Sequence, residues 1–177
     1  MQWNIDPSHT SVEFAVRHLA IATVRGRFRK VTGTLETTDD GRLTAVHAAV
    51  DAASIDTADA QRDTHLRSGD FLDAERYPVL TFRSTRVDPR GDGRYLVSGD
   101  LTIRDETRPV SLEVETTKPI TDPWGNLRAG ASASGTLNRK DWGVTWNQVL
   151  ELGTLLVGEQ VRFTIDVEAA AAKAAAA

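Results

Sequence analysis

Alternation of apolar and polar residues at a period of two runs through most of this 177-residue chain and restricts its fold more than any other feature. Successive side chains of a strand leave opposite faces, so the pattern builds a sheet with one greasy face and one wet one. Val12, Phe14 and Val16 face one way, and Glu13, Ala15 and Arg17 the other. The rhythm returns at Val31-Gly33-Leu35, Val46-Ala48-Val50, Leu80-Phe82 and Tyr95-Val97-Gly99-Leu101-Ile103. It continues at Val110-Leu112-Val114 and Ala129-Ala131-Ala133-Gly135-Leu137, and ends at Val161-Phe163-Ile165-Val167. About eight such runs between turn residues predict an all-β barrel or sandwich. Asp39-Asp40-Gly41, the stretch Asp88 to Gly93, and Arg104 to Pro109 favour short hairpins. Short hairpins in succession imply an antiparallel up-and-down meander.

Two stretches break the rhythm. Asp56 to Tyr77 is polar and lacks alternation, which predicts a short helix over about 56–70. Asp56 or Thr57 would cap its start and Gly69 would stop it, with Leu66, Phe71 and Leu72 packed beneath. The second break, Asn138 to Leu156, holds Trp142 and Trp146. From Glu168 onward the chain is nearly all alanine. This reading gives a barrel domain over 1–168 and a low-complexity, helix-permissive tail over 169–177, frayed and without assigned function.

Charge and composition narrow the function. The net charge is -4 and the basic residues are scattered; the tightest group, Arg25 to Lys30, is interrupted by Gly26 and Phe28. That weighs against nucleic acid or an anionic membrane face as the main partner. No apolar run approaches the ~20 residues of a membrane span, so no stable membrane insertion is expected. The absence of cysteine excludes disulfides, thiolate metal sites and cysteine nucleophiles. Met1-Gln2-Trp3-Asn4 lacks the basic start and apolar stretch of a secretory signal, which predicts a cytoplasmic protein unless a leader has been removed.

Catalytic signatures are weak. His9, His18, His47 and His65 form no HExxH, HxH or HxxxH pair, so no metal is expected. There is no GxSxG elbow, and the carboxylates fall in turns or on polar faces. An enzyme is not expected. His18 stands apart, because it continues the inward phase of Val12, Phe14 and Val16 at a strand end. It is either a rim histidine bonded to backbone or a polar group at a pocket mouth. The strand Arg128 to Asn138 puts Ala and Gly on one face, too small to fill a barrel of about eight strands. Close packing leaves two solutions: larger neighbours such as Phe14, Phe28, Phe82, Leu101 and Phe163 fill the centre, or a guest does.

Several ordered blocks carry a family resemblance. They are Trp3 to Thr10 with Val12-Glu13-Phe14, then His18-Leu19 with Val24-Arg25-Gly26-Arg27-Phe28. The most specific is Arg62-Asp63-Thr64-His65-Leu66-Arg67-Ser68-Gly69-Asp70-Phe71-Leu72-Asp73, followed by Tyr77-Pro78 and Phe82. Gly99 to Ile103 leading to Arg108-Pro109-Val110, and Asn138 to Gly143, complete the set. Together they resemble the YceI-like family of polyisoprenoid-binding, lipocalin-like proteins over nearly the whole chain. Trp142 stands where the family often has Phe, and many members carry a leader that this sequence lacks.

The resemblance implies an eight-stranded antiparallel lipocalin-like barrel with a helical segment beside it. Its apolar tunnel would hold a long-chain lipid: a polyprenyl chain, an isoprenoid quinone or a fatty amide. The expected role is binding with transport or sequestration, without a cofactor beyond the lipid and with a homodimer as the assembly. The residues expected to line the tunnel are Phe14, Val16, His18, Phe28, Leu35, Leu66, Phe71, Leu80, Phe82, Leu101, Ile103, Ala131, Ala133, Trp142, Trp146 and Phe163. Head-group candidates are His18, Arg25, Arg62 and Arg67; the alternative for the arginines is to tie the 56–77 segment to the barrel. Two other readings stay open: an enzyme acting on a bound lipid through His18, and a ligand-free stress-response interaction protein.

Overall fold

The computed structural model describes residues 1–150 and 153–172. Strands β1 (Gln2–Ile5) and β2 (Ser11–His18) form one long wall element, broken by a 3-10 turn at Pro7–His9 that Asp6 caps. Strands β3 (Ala22–Phe28) and β4 (Val31–Thr37) form a second broken element that runs back along the first, β3 on β2 and β4 on β1. Then come β5 (Leu43–Asp51), the two-residue β6 (Ile55–Asp56), helix α1 (Ala60–Arg67), β7 (Val79–Gly91), β8 (Arg94–Ile103) and β9 (Glu106–Thr116). The short β10 (Ile120–Thr121) precedes β11 (Leu127–Asn138) and β12 (Val157–Ala171).

Each wall element pairs antiparallel with its successor, and the last meets the first. β12 pairs with β11 from Arg128↔Ala170 to Asn138↔Gln160, and on its other edge with β2 and β1. Counting the two broken elements once each, this is a closed eight-stranded antiparallel barrel, as the alternation and the resemblance predict.

The wall is uneven in two places. Beyond Phe28 toward Ala22, β3 has no β4 beside it, and its free edge meets only Ile55 and Asp56 of β6. Residues 52–78 with α1 pack there, tied to the sheet where Ala52 N–H donates to Pro78 O. The second gap lies between β9 and β11, which pair only over Glu113–Thr116 and Ala131–Ser134. The rest of β9 has β8 alone, and there stands Pro109, which has no N–H to offer a second neighbour. The 3-10 turn Arg139–Trp142 covers this gap. Arg108 Nε donates to Asp141 O at 3.1 Å, and Trp142 Nε1 donates to Leu101 O at 2.9 Å.

Two expectations change. The helix starts later than Asp56 or Thr57: Asp56 accepts Ala58 N–H in a turn, Ala58 has φ +59°, and Asp59 is the cap, accepting Arg62 N–H at 3.0 Å. Its end is Ser68, with extended backbone, so Gly69 stops nothing. The alanine tail begins as strand. β12 continues to Ala171 because β1 offers an edge where only small side chains fit beside Trp3, and Ala169 is completely buried. Residues 173–177 lie outside the described residues.

Apolar side chains gather at both ends of the bore. Trp3, Leu35, Leu43, Tyr95, Val97, Leu112, Val114 and Ala169 pack at one end. Phe71, Ile103, Trp142 and Val144 pack at the other, with Leu66, Leu72 and Trp146 against them.

Candidate functional site: the barrel cavity

Between these clusters lies one cavity of about 440 Å3. Its wall is almost wholly aliphatic and aromatic. Lining residues run from Leu43 to Val50 on β5 and from Val157 to Val167 on β12. At the usual rise this is roughly 25–35 Å of strand, and the ordinary tilt of small barrels shortens it to roughly 20–25 Å along the axis.

The inward phase read from the sequence is the lining phase. Phe14, Val16, His18, Phe28, Leu35, Leu66, Phe71, Leu80, Phe82, Leu101, Ile103, Ala131, Ala133, Trp146 and Phe163 all line the cavity. Trp142 does not. It is 3% exposed, but its indole fills the gap in the wall between β9 and β11 and spends its N–H on Leu101 O.

The arginine candidates separate. Arg25 is on the outer face of β3, since Val24 and Phe28 take the inner phase, and it is exposed. Arg67 is structural: Nε donates to Ala53 O at 2.8 Å and Nη2 to Ile55 O at 2.9 Å, strapping α1 to β6. Arg62 lines the cavity while holding Thr57, through Nε to Oγ1 at 2.8 Å and Nη2 to the carbonyl at 2.9 Å. Thr57 is gripped from the other side by buried Asp63, which accepts its N–H at 2.8 Å and its hydroxyl at 2.6 Å. His18 lines the cavity at the end of β2.

Of the polar lining groups that escaped the sequence reading, two are fixed in place at the α1 end. Arg139 is 5% exposed and held by carbonyls: Nε to Gly158 O at 2.9 Å, Nη1 to Val144 O and Trp146 O at 2.8 Å each, and Nη2 to Val157 O at 3.3 Å. It makes no ion pair among the described residues; burial pushes its pKa down, opposed by the field of Glu159, which is itself bound to Lys140. A guanidinium so placed pins Val144 and Trp146 to Val157 and Gly158 over the bore. His65 is the second. Its ring stands edge-on to Phe71 at 5.0 Å and Trp146 at 4.7 Å, and its Nε2 lies 2.8 Å from Asp70 Oδ2. Both could have been found. Arg139 continues the odd-numbered inward phase of Ala131 to Leu137, and Arg62, His65 and Leu66 have the i, i+3, i+4 spacing of one helix face. Of the two histidines that line the cavity, His65 is the one with a carboxylate partner among the described residues.

Outside the barrel, Asp6, His9 and Glu168 come together in a way that could suit a cation. Arg128 already sits on both carboxylates at 2.7 Å and reaches Asp122 at 3.1 Å, so the group is an ion-pair staple between the Pro7–His9 turn, β11 and β12.

The comparisons agree with this geometry. The pattern that defines the YceI-like domain matches residues 3–169. A UPF0312 protein of Vibrio cholerae is 40% identical over 139 residues, covering 77% of this chain and 73% of the relative. Among solved structures, BcnA of Burkholderia cenocepacia superposes with a TM-score of 0.80 at 19% identity, covering 93% of this chain and 98% of its own. A polyisoprenoid binding domain from Saccharophagus degradans, implicated in plant cell wall breakdown, superposes with a TM-score of 0.68 at 14% identity, covering 96% and 98%.

Proposed function

The chain belongs to the YceI-like family, and from that premise we propose that it binds one long isoprenoid or related amphiphilic lipid inside the barrel and carries or sequesters it. The observation that carries this reading is the cavity: continuous, apolar, and roughly 20–25 Å long. One leaflet of a bilayer accounts for half of a ~30 Å hydrocarbon core. A bore of this length therefore suits a chain longer than a common membrane acyl group. Burying a methylene contributes ~0.8 kcal/mol, so ten of them give ~8 kcal/mol before costs. That corresponds to about micromolar affinity, and the ordering of a flexible tail reduces what further carbons add.

A hydrocarbon tail needs no polar partner, so discrimination falls to the end that carries polar groups. That end is roofed by α1, where Arg62, His65, Arg139 and His18 line the bore. A head group with hydrogen-bond acceptors, such as a quinone carbonyl, an amide or a phosphate, fits beside these donors. No step of bond making is required by this arrangement, and binding accounts for every feature of the cavity.

Organic extraction of the natively purified protein, followed by mass spectrometry, tests the reading. The expected result is one long-chain lipid per protein chain; native protein that yields none and takes up none defeats it. Ala131→Trp drives an indole into the bore and is expected to abolish uptake while the far-ultraviolet dichroism stays β-rich.

A further inference from the structure

A row of four residues crosses the barrel wall in register. Gly135 on β11 is opposite Phe163 on β12, Phe163 is opposite Phe14 on β2, and Phe14 is opposite Gly26 on β3. Both phenylalanines point inward, and two phenyl rings standing side by side in the lumen would obstruct it. They lean apart instead, each lying over the glycine on its outer side. A β-carbon on Gly135 would fall 2.5 Å from Phe163 Cζ, far inside van der Waals contact. A β-carbon on Gly26 would overlap Phe14 Cζ in the same way, and it would also meet Thr57 Cγ2 at 2.7 Å. On another part of the wall Phe82 lies over Gly99, where an added β-carbon would be 2.6 Å from its Cζ.

The cavity continues past this row. On β12 its lining includes Val157 and Val161 on one side of Phe163, and Ile165 and Val167 on the other. On β11 it includes Leu137 on one side of Gly135, and Ala133 and Ala131 on the other. The bore is therefore a single space because both rings are folded into recesses that glycine alone provides.

Resting on the lipid-binding reading above, we infer that the pairs Gly135–Phe163 and Gly26–Phe14 set the length of chain the barrel accepts. With the rings recessed, a long chain threads from the α1 end to the Trp3 end. With a ring displaced into the lumen, only the α1 half remains open and only a short chain fits. A single methyl at either glycine makes that change, because each glycine is paired in register with the phenylalanine's own strand, which holds the added carbon against the ring.

The test uses the full-length protein and two isoprenoid alcohols, geraniol with ten carbons and geranylgeraniol with twenty, measured by displacement of a bound fluorescent lipid. Gly135→Ala is expected to weaken geranylgeraniol by at least about tenfold and to leave geraniol within about twofold. Gly135→Ala with Phe163→Ala is expected to restore geranylgeraniol to within about threefold of the starting protein. Phe163→Trp on the native glycine supplies a second test should Gly135→Ala fail to fold, and it too should discriminate against the longer alcohol. Unchanged geranylgeraniol binding in a folded Gly135→Ala or Phe163→Trp overturns the inference, as does equal loss of both alcohols or failure of the double variant to recover. If the unaltered protein binds neither alcohol nor any extracted lipid, the lipid-binding reading itself fails and takes this inference with it.

Discussion

At one end of the barrel Trp3, Tyr95, Val97 and Ala169 close the bore with side chains that project from paired strands. At the other, Phe71, Leu66, Trp146 and Arg139 close it from a helix, a 3-10 turn and irregular chain. The first end has its polar atoms satisfied from strand to strand: Trp3 Nε1 donates to Thr37 Oγ1 at 3.0 Å, and Tyr95 Oη accepts Leu43 N–H at 3.3 Å. The second relies on long side chains that grip carbonyls of turns and irregular chain. A ladder of backbone hydrogen bonds opens only with the whole sheet, whereas a roof held by a few side chains can lift alone. Under the proposed lipid-binding reading, the Trp3 end is the permanent one and the α1 end the one through which a lipid would pass.

The sharpest way to break this contrast is to weaken each end in turn. Trp3→Ala should cost about 3–5 kcal/mol of global stability, as buried aromatic truncations do, read from urea unfolding. Asp63→Ala should cost about 1–3 kcal/mol by leaving the Thr57 N–H and hydroxyl without their acceptor. Amide exchange should quicken across 56–67 while the Trp3 end stays protected; uniform loss of protection would erase the distinction. Trp146→Ala, at a half-buried site, should cost about 1 kcal/mol, near the low end for apolar burial, yet raise the exchange rate of bound lipid more than Trp3→Ala does at matched stability.

The smallest effect is a pH dependence, and it belongs to the Trp3 end. Burial tends to raise the Asp122 pKa, but hydrogen bonds from Asn126, Arg128 and the Trp124 N–H outweigh it, leaving it at about 2 against an ordinary 3.8. Asp6 is pushed down further by Ser8 first and Arg128 second. Both folded values lie below the unfolded one, so the stabilisation is complete above about pH 4 and is lost as pH falls through about 2. Thermal unfolding between these limits should therefore show a declining midpoint that Arg128→Met flattens. An unchanged slope would mean that the staple does not hold this end.

Most of the wall was legible because one physical rule governs it. A strand with one face in oil must alternate, so Val12 to His18 and Val161 to Val167 declare their inner residues directly. The roof obeys no such period. Trp142 reads like a lining aromatic, yet it serves a gap that exists only because β9 and β11 diverge beyond Ser134, a fact of register rather than composition. The helix start slipped because the expected caps, Asp56 and Thr57, stand two or three residues before Asp59, which has the same capping chemistry, and only the turn at Ala58 chooses between them. Arg139 had no role in the sequence reading, because its carbonyl partners on Val144, Trp146 and Gly158 come around it only in the fold.

The closing strand also governs how the molecule comes into being. Hairpins of a meander can form as the chain leaves the ribosome, but β12 is the seam that joins β11 to β1 and β2, and its partner Trp3 was made first. Until this fifteen-residue strand is synthesised, the nascent sheet holds its oily face open to solvent. Contacts of such wide separation are slow to form and aggregation-exposed while they wait. Truncations that stop before Val157 therefore leave an open, adhesive sheet rather than a smaller barrel.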